Sequence, residues 1–219
     1  MTLNDIYHAI DPVALSLGPL QIRWYGLAYV AGFICAFLVI AKLSQRWKIR
    51  IDDDAFFTVV FCVIFGVILG GRLGYVLVYG DGYYLQHPEK ILAFNEGGMS
   101  FHGGLVGVII GGVIAAKITK IPFLTLADMG VVGVPIGLFF GRCANFINGE
   151  LWGAPTDMPW GVVFGGAAGT MPRHPSQLYE ALLEGVVLFI ILFALSRKTP
   201  ARPRGTFFGT FLLFYGLFR

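Results

Sequence analysis

Four arginines occur at or inside long apolar runs: Arg23, Arg72, Arg142 and Arg219. A charge embedded in hydrocarbon costs ~2.5–3.5 kcal/mol on insertion scales, so such a side chain needs a function or a partner. A guanidinium offers a planar fork of N–H donors that suits a phosphate or a carboxylate. Carboxylates are at hand in Glu150, eight residues after Arg142, and in Glu180 and Glu184, one helical turn apart and therefore on one face. These acids either hold arginines in place or meet a substrate; the sequence leaves both open. Arg23 and Arg219 also suit snorkelling to headgroups. One histidine, His102, sits in the glycine-rich run Gly97-Gly98-Met99-Ser100-Phe101-His102-Gly103-Gly104-Leu105. Glycines on both sides admit a backbone or a lipid headgroup, and free amides at a helix start bind phosphate oxygens. Imidazole, with a reference pKa of ~6.5, exchanges a proton near neutrality. The plainer reading is an interfacial histidine satisfied by a carbonyl. For Tyr25 and Tyr215 the plainer reading is the aromatic belt of a membrane interface.

The elements that must position these residues are membrane spans. The 219 residues are 56% apolar and 13% charged, with a mean hydropathy of +0.73; soluble domains carry ~25% charged residues. That composition excludes a soluble globule, a disordered tail and a nucleic-acid module. The expected fold is an all-α polytopic membrane protein, a single integral membrane domain over 1–219. Uncharged or nearly uncharged stretches run over Trp24–Ala41, Ala55–Gly71 and onward to Gly80, Gly97–Ala116, Met129–Gly141 continuing past Arg142, Ser176–Ser196 and Gly205–Phe218. With ~20 residues needed to cross, these are five full spans and a short sixth. The sixth reaches only ~22 Å before Arg219, against a ~30 Å hydrocarbon core. The expectation is a chain truncated within or near the end of a helix, with a re-entrant segment as the alternative.

Loop charges set an expected orientation. The first, third and fifth connections hold ten Lys and Arg (Lys42, Arg46, Lys48, Arg50; Lys117, Lys120; Arg197, Lys198, Arg202, Arg204), and the opposite side holds Lys90 and Arg173. The N-terminus is therefore expected outside, with all four intramembrane arginines near the outer interface. Residues at one depth on different helices can converge on one site. The longer outer loop, about 148–175, is rich in Gly and Pro and suits a small cap. Cys35, Cys62 and Cys143 are widely spaced, with neither a disulfide framework nor a metal knuckle. No Lys or Arg precedes Arg23, so no basic n-region of a cleaved signal is present.

The run Gly141-Arg142-Cys143-Ala144-Asn145-Phe146-Ile147-Asn148-Gly149-Glu150-Leu151-Trp152-Gly153 resembles the signature of the prolipoprotein diacylglyceryl transferases. Phe101-His102-Gly103-Gly104-Leu105, Arg173-His174-Pro175-Ser176-Gln177-Leu178-Tyr179-Glu180 and Tyr215-Gly216-Leu217-Phe218-Arg219 look like the same family. The resemblance covers nearly the whole chain, from Asp11-Pro12 and Trp24-Tyr25-Gly26 onward, and it implies seven spans, the last of them missing here.

The resemblance also implies a reaction. The diacylglyceryl group of phosphatidylglycerol moves to the lipobox cysteine of a bacterial prolipoprotein as a thioether, and glycerol 1-phosphate leaves. It implies no metal, nucleotide or other cofactor, and a place in the bacterial cytoplasmic (inner) membrane. His102 matches the family's essential histidine and is the candidate base. Arg142 matches the signature arginine and is expected on the headgroup phosphate. Arg219 matches the arginine near the end of the sixth span and is expected to meet leaving-group charge. Asn145, Glu150 and Gly153 carry over as residues that order the site, and Tyr25 and Tyr215 as lipid contacts. A different class, an anion or lipid transporter with an outer arginine site, would want polar residues at several depths.

Overall fold

The computed structural model describes residues 2–17, 20–49, 51–93, 97–197 and 203–219, and within these the side chains of all but residues 17, 20, 25 and 29. Arg50, Lys198 and Arg202 of the charge asymmetry, and the side chain of Tyr25, lie outside the described residues. The chain divides into two compact units, one of Met1–Lys48 with Asp128–Arg219, the other of Ile49–Ala127. Five helices are long and apolar enough to cross a membrane, and a sixth, Thr206–Phe218, is apolar but shorter. The architecture is that of an all-α polytopic membrane protein. Apolar side chains face outward along the helices, as at Phe33, Phe61, Leu77 and Leu213, an arrangement suited to lipid as solvent.

The smaller unit is built on two helices, α3 (Asp53–Tyr79) and α5 (Phe101–Thr119). Asp52 starts α3 by accepting from the Ala55 amide at 2.8 Å, and Asp53 and Asp54 add negative charge at its N-terminus. Ser100 starts α5 by accepting from the Gly103 amide at 3.1 Å. The two helices meet along a glycine seam. Gly66, Gly70 and Gly74 recur every four residues on α3 and face Gly103 and Gly107 of α5, while Gly111 meets the Cys62 carbonyl. Hydrocarbon gives helices no hydrophobic reason to associate, so close backbone approach must supply the attraction. The approach here leaves no room for a side chain: a Cβ on Gly107 would stand 1.8 Å from the Gly66 carbonyl oxygen. Gly107→Val is therefore expected to part the two helices and to cost about 3 kcal/mol or more, at the upper end of overpacking penalties. Thermal unfolding in detergent checks this; a melting point within a degree of the parent's would contradict the seam.

Between them lie the short helix α4 (Tyr83–Gln86) and a 3-10 turn over Pro88–Lys90. Both are organised by Arg72, whose side chain is buried at 1% exposure. Its guanidinium donates to the carbonyls of Lys90 (2.7 Å), Ile91 (2.8 Å), Gly98 (3.2 Å) and Gly97. The rings of Tyr84 and Tyr75 lie 5.5 and 5.9 Å from its charged carbon. The embedded charge at Arg72 is thus satisfied by backbone oxygens, and its role is to tie the connecting loop to α3.

The larger unit begins with features that apolar periodicity does not announce. A seven-residue helix, α1 (Leu3–Ala9), carries a Thr2–Asp5 capping box. An antiparallel hairpin of β1 (Val13–Leu17) and β2 (Leu20–Arg23) follows. Arg23 then sits exposed at the N-cap of α2 (Trp24–Arg46). The other long helix, α6, runs over Phe123–Asn148. It starts six residues before the expected boundary at Met129 and so draws Asp128 inside. Next comes a continuous helical stretch of α7 (Ser176–Glu180), a π-helical segment (Ala181–Val187) and α8 (Leu188–Ser196), then α9 (Thr206–Phe218). One core joins Leu43, Val131, Val132, Leu188, Leu192 and Phe207. A second, smaller core supports the 148–175 segment: Val162, Phe164 and Ala168 pack with Phe146 at the end of α6, and Tyr7 of α1 lies edge-on to Phe146 and Phe164 at 5.4 and 5.0 Å. The Asn4 side chain accepts from the Val163 amide at 2.9 Å. Burial pushes the Tyr7 phenol above its ordinary pKa of 10.0.

Candidate active site

Within the larger unit, three elements bring two arginines onto two carboxylates. Arg142, near the end of α6, places Nε 2.7 Å from Glu180 Oε2 and Nη2 4.0 Å from Glu184 Oε2. Arg219, directly after α9, places Nη1 2.8 Å from the same Glu180 oxygen and 3.6 Å from Glu184 Oε1. One carboxylate oxygen thus lies between two guanidinium groups. Glu184 is fully buried, Arg142 is 15% exposed and Arg219 53% exposed. A buried carboxylate is tolerated only when paired, and two cations meet that need.

The local backbone explains how the acids reach the arginines. Glu184 lies in the π-helical segment that begins directly after Glu180, and such segments are frequent at functional sites. Gly185 then lets the segment press onto α6, where an added Cβ would come within 2.7 Å of Phe139 Cβ. Phe139 lies three residues, about one turn, before Arg142. The contact therefore delivers Glu184 to the level of the arginine.

A second group of side chains continues from the end of α6. Glu150 accepts from Asn145 Nδ2 at 3.2 Å and from Asn148 Nδ2 at 3.3 Å. Its amide donates to the Asn145 carbonyl at 2.9 Å, and its own carbonyl accepts from the fully buried Gln177. Gly153 is closed in by His174: its amide donates to the His174 carbonyl at 2.9 Å, and a Cβ would stand 2.9 Å from that oxygen. Arg173 lies over the Trp152 ring at 4.2 Å and donates to the carbonyls of Ala168 and Gly153 at 3.0 and 3.2 Å. Trp160 Nε1 donates to the Tyr179 hydroxyl at 2.6 Å, and His174 Nδ1 is 3.1 Å from that oxygen.

The remaining candidates fall as follows. Tyr215 is one turn before Arg219 on α9, its ring stacked on Phe211 at 5.5 Å. Tyr25 lies in the first turn of α2. His102 belongs to the smaller unit, in the first turn of α5. It is exposed, edge-on to Phe101 at 5.7 Å, and its ring nitrogens have no hydrogen-bond partner among the described residues. The structure therefore gathers Arg142 with Arg219, and Asn145 with Glu150, and describes His102 in the other unit.

A family model for prolipoprotein diacylglyceryl transferases matches residues 12–219. The chain belongs to the prolipoprotein diacylglyceryl transferase family. Relatives named phosphatidylglycerol–prolipoprotein diacylglyceryl transferase include one from Geobacter sulfurreducens, 55% identical over 96% of this chain and 80% of its own length. Another, from Cupriavidus metallidurans, is 51% identical over 98% of this chain and 80% of its own. A third, from Desulfotalea psychrophila, is 50% identical over 96% and 78%. The match to the diacylglyceryl transferase family takes in both units, so the arginine cluster and the α3–α5 pair are both part of it.

Two features of this family member were not singled out from the sequence. Nothing in the residue type of Gln177 marks it as the buried support of Glu150. Asp128 does carry a signal: it is the sole acid in the 26 residues of α6, and an intramembrane carboxylate always needs a partner.

Proposed function

We propose that this chain transfers the sn-1,2-diacylglyceryl group of phosphatidylglycerol to the lipobox cysteine of bacterial prolipoproteins. Family membership and the names of its relatives support the reaction. The observation that carries the assignment of residues is the convergence of Arg142 and Arg219 on one oxygen of Glu180. In the reaction the cysteine sulfur forms a bond to the glyceryl carbon that bore the phosphate oxygen. That C–O bond breaks with its electron pair on the phosphate, and glycerol 1-phosphate departs. His102 takes the thiol proton as sulfur attacks. Arg142 holds the headgroup phosphate with its terminal nitrogens while Nε keeps Glu180, and the half-exposed Arg219 meets the charge that builds on the leaving phosphate. Glu150, fixed by Asn145, Asn148 and Gln177, orders the end of α6 beside Gly153. Tyr25 and Tyr215 contact the lipid. The sulfur comes from the substrate, so Cys35, Cys62 and Cys143 have no nucleophilic part.

The test is direct. Purified protein is incubated in detergent with phosphatidylglycerol and a lipobox peptide. Thioether product and glycerol phosphate should appear in equal amounts; release of neither rejects the reading.

The same proposal sets the protein in the bacterial cytoplasmic membrane with its N-terminus and the 148–175 loop outside, as the ten-to-two loop charge supports. Single cysteines near Asp5 and Gly165 should react with an impermeant maleimide in intact cells, and single cysteines near Lys48 and Arg204 should not. Labelling at Lys48 would reverse the orientation.

A further inference from the structure

Asp128 stands on α6 fourteen residues before Arg142, and Gly205 stands fourteen residues before Arg219. Asp128 is buried, and its two oxygens take different donors from the start of α9: Oδ2 accepts from the Gly205 amide at 2.7 Å and Oδ1 from the Phe208 amide at 2.9 Å. The N-cap residue of α9 is Gly205 itself, which has no side chain to cap the helix. Orphan amides at a helix start need acceptors, and here a neighbouring helix provides them. The two helices therefore run in the same direction, tied at one end by Asp128 and at the other through Glu180, which pairs with both Arg142 and Arg219. Equal spacings of fourteen residues, each ~21 Å along a helix, connect the two ties.

We propose that Asp128 is a positioning residue that sets the axial register of α9, and so places Arg219 level with Arg142. This rests on the catalytic part given to Arg219 above. A carboxylate that accepts two first-turn amides fixes where the helix begins, and a fixed beginning fixes the height of the residue at its far end. Moving Arg219 by ~1 Å is enough to cost ~10²-fold in rate, because the charge it must meet develops at one place.

The experiment compares Asp128→Asn, Asp128→Glu and Arg219→Gln at matched membrane levels, with two readouts. Hydrogen exchange at the Gly205 and Phe208 amides reports the tie itself, and steady-state kinetics with phosphatidylglycerol and a lipobox peptide report its consequence. Asp128→Asn keeps one acceptor and puts an amide N–H where the other was, so it should speed exchange at one of the two positions. It should lower kcat ~10²-fold with little change in KM for phosphatidylglycerol. Asp128→Glu should keep exchange slow, since both acceptors remain, yet still lower kcat, since the longer side chain displaces the start of α9. A role in stability alone would be restored by Glu. The Asp128→Asn, Arg219→Gln double variant should be no slower than Arg219→Gln alone. Additive losses, full activity of either Asp128 variant, or unchanged exchange in Asp128→Asn would overturn the proposal. Full activity of Arg219→Gln would reject the catalytic role of Arg219 and the register argument with it, whereas fast exchange in Asp128→Asn with an active Arg219→Gln would locate the failure in the role of Arg219 and not in the tie.

Discussion

Replacing His102 by asparagine is expected to slow transfer ~10²–10⁴-fold, the usual worth of general-base help, while phosphatidylglycerol binding stays nearly intact. The surroundings of His102 make the substitution informative. Ser100, not His102, caps α5, and the seam against α3 is formed by the glycines at 103 and 107. The ring itself is exposed and has no hydrogen-bond partner among the described residues, so among those residues asparagine gives up only the edge-on ring contact with Phe101. A thiol ionises near ~8.5 and attacks as thiolate. Raising the pH toward that value lets solvent remove the proton, so the variant should regain part of its rate relative to the parent. Initial rates against pH for both proteins, with a lipobox peptide in detergent, decide this. Loss of lipid binding in the variant, or no relative gain at high pH, would make His102 an organiser of the headgroup region and not the base.

Arg142→Lys is expected to lose ~10²–10³-fold in turnover despite keeping its charge, the range seen on removal of one oriented donor to a developing anion. The structure gives the reason. Arg142 holds Glu180 through Nε at 2.7 Å, and its Nη2 stands 4.0 Å from Glu184 Oε2, beyond hydrogen-bond reach, so terminal N–H donors remain for a phosphate. A lysine has a single nitrogen and a compact charge, so it can neutralise Glu180 or reach a phosphate, but not present a fork to one while holding the other. Protein levels in the membrane should stay close to the parent's, because the buried Glu184 keeps Arg219 within 3.6 Å. Near-normal thioether formation by the Lys variant would reduce Arg142 to a counter-ion for Glu180.

The membrane spans were legible from the sequence because hydrocarbon imposes one rule everywhere: ~20 apolar residues, with backbone groups satisfied inside the helix. Five of the expected stretches correspond to the long helices and the sixth to the shorter one. Their ends were read less well. The uncharged run begins at Met129 because Asp128 is charged; the acid lies inside the helix because its oxygens accept from two amides of α9. The N-terminal helix and hairpin are not legible in the sequence, since 7 residues of α1 and 5 and 4 residues of strand are too short for a periodic signal.

For the candidate site, residue type alone was enough to pick out Arg142 and Arg219, because an arginine in an apolar run is costly wherever it packs. The same reasoning picked out Arg72, whose cost is met by four backbone carbonyls that no sequence pattern reveals. Between substrate contact and arginine pairing for Glu180 and Glu184, the sequence had no means to choose. Arg142 and Glu180 are 38 residues apart in the chain. What joins them is a π-helical segment and a glycine pressed onto Phe139. Composition, spans and the identity of the charged residues are properties that each residue carries with it. Which carboxylate meets which arginine, and that Asp128 and Glu180 tie α6 to α9 at either end, depend on distances between helices, and only packing decides those.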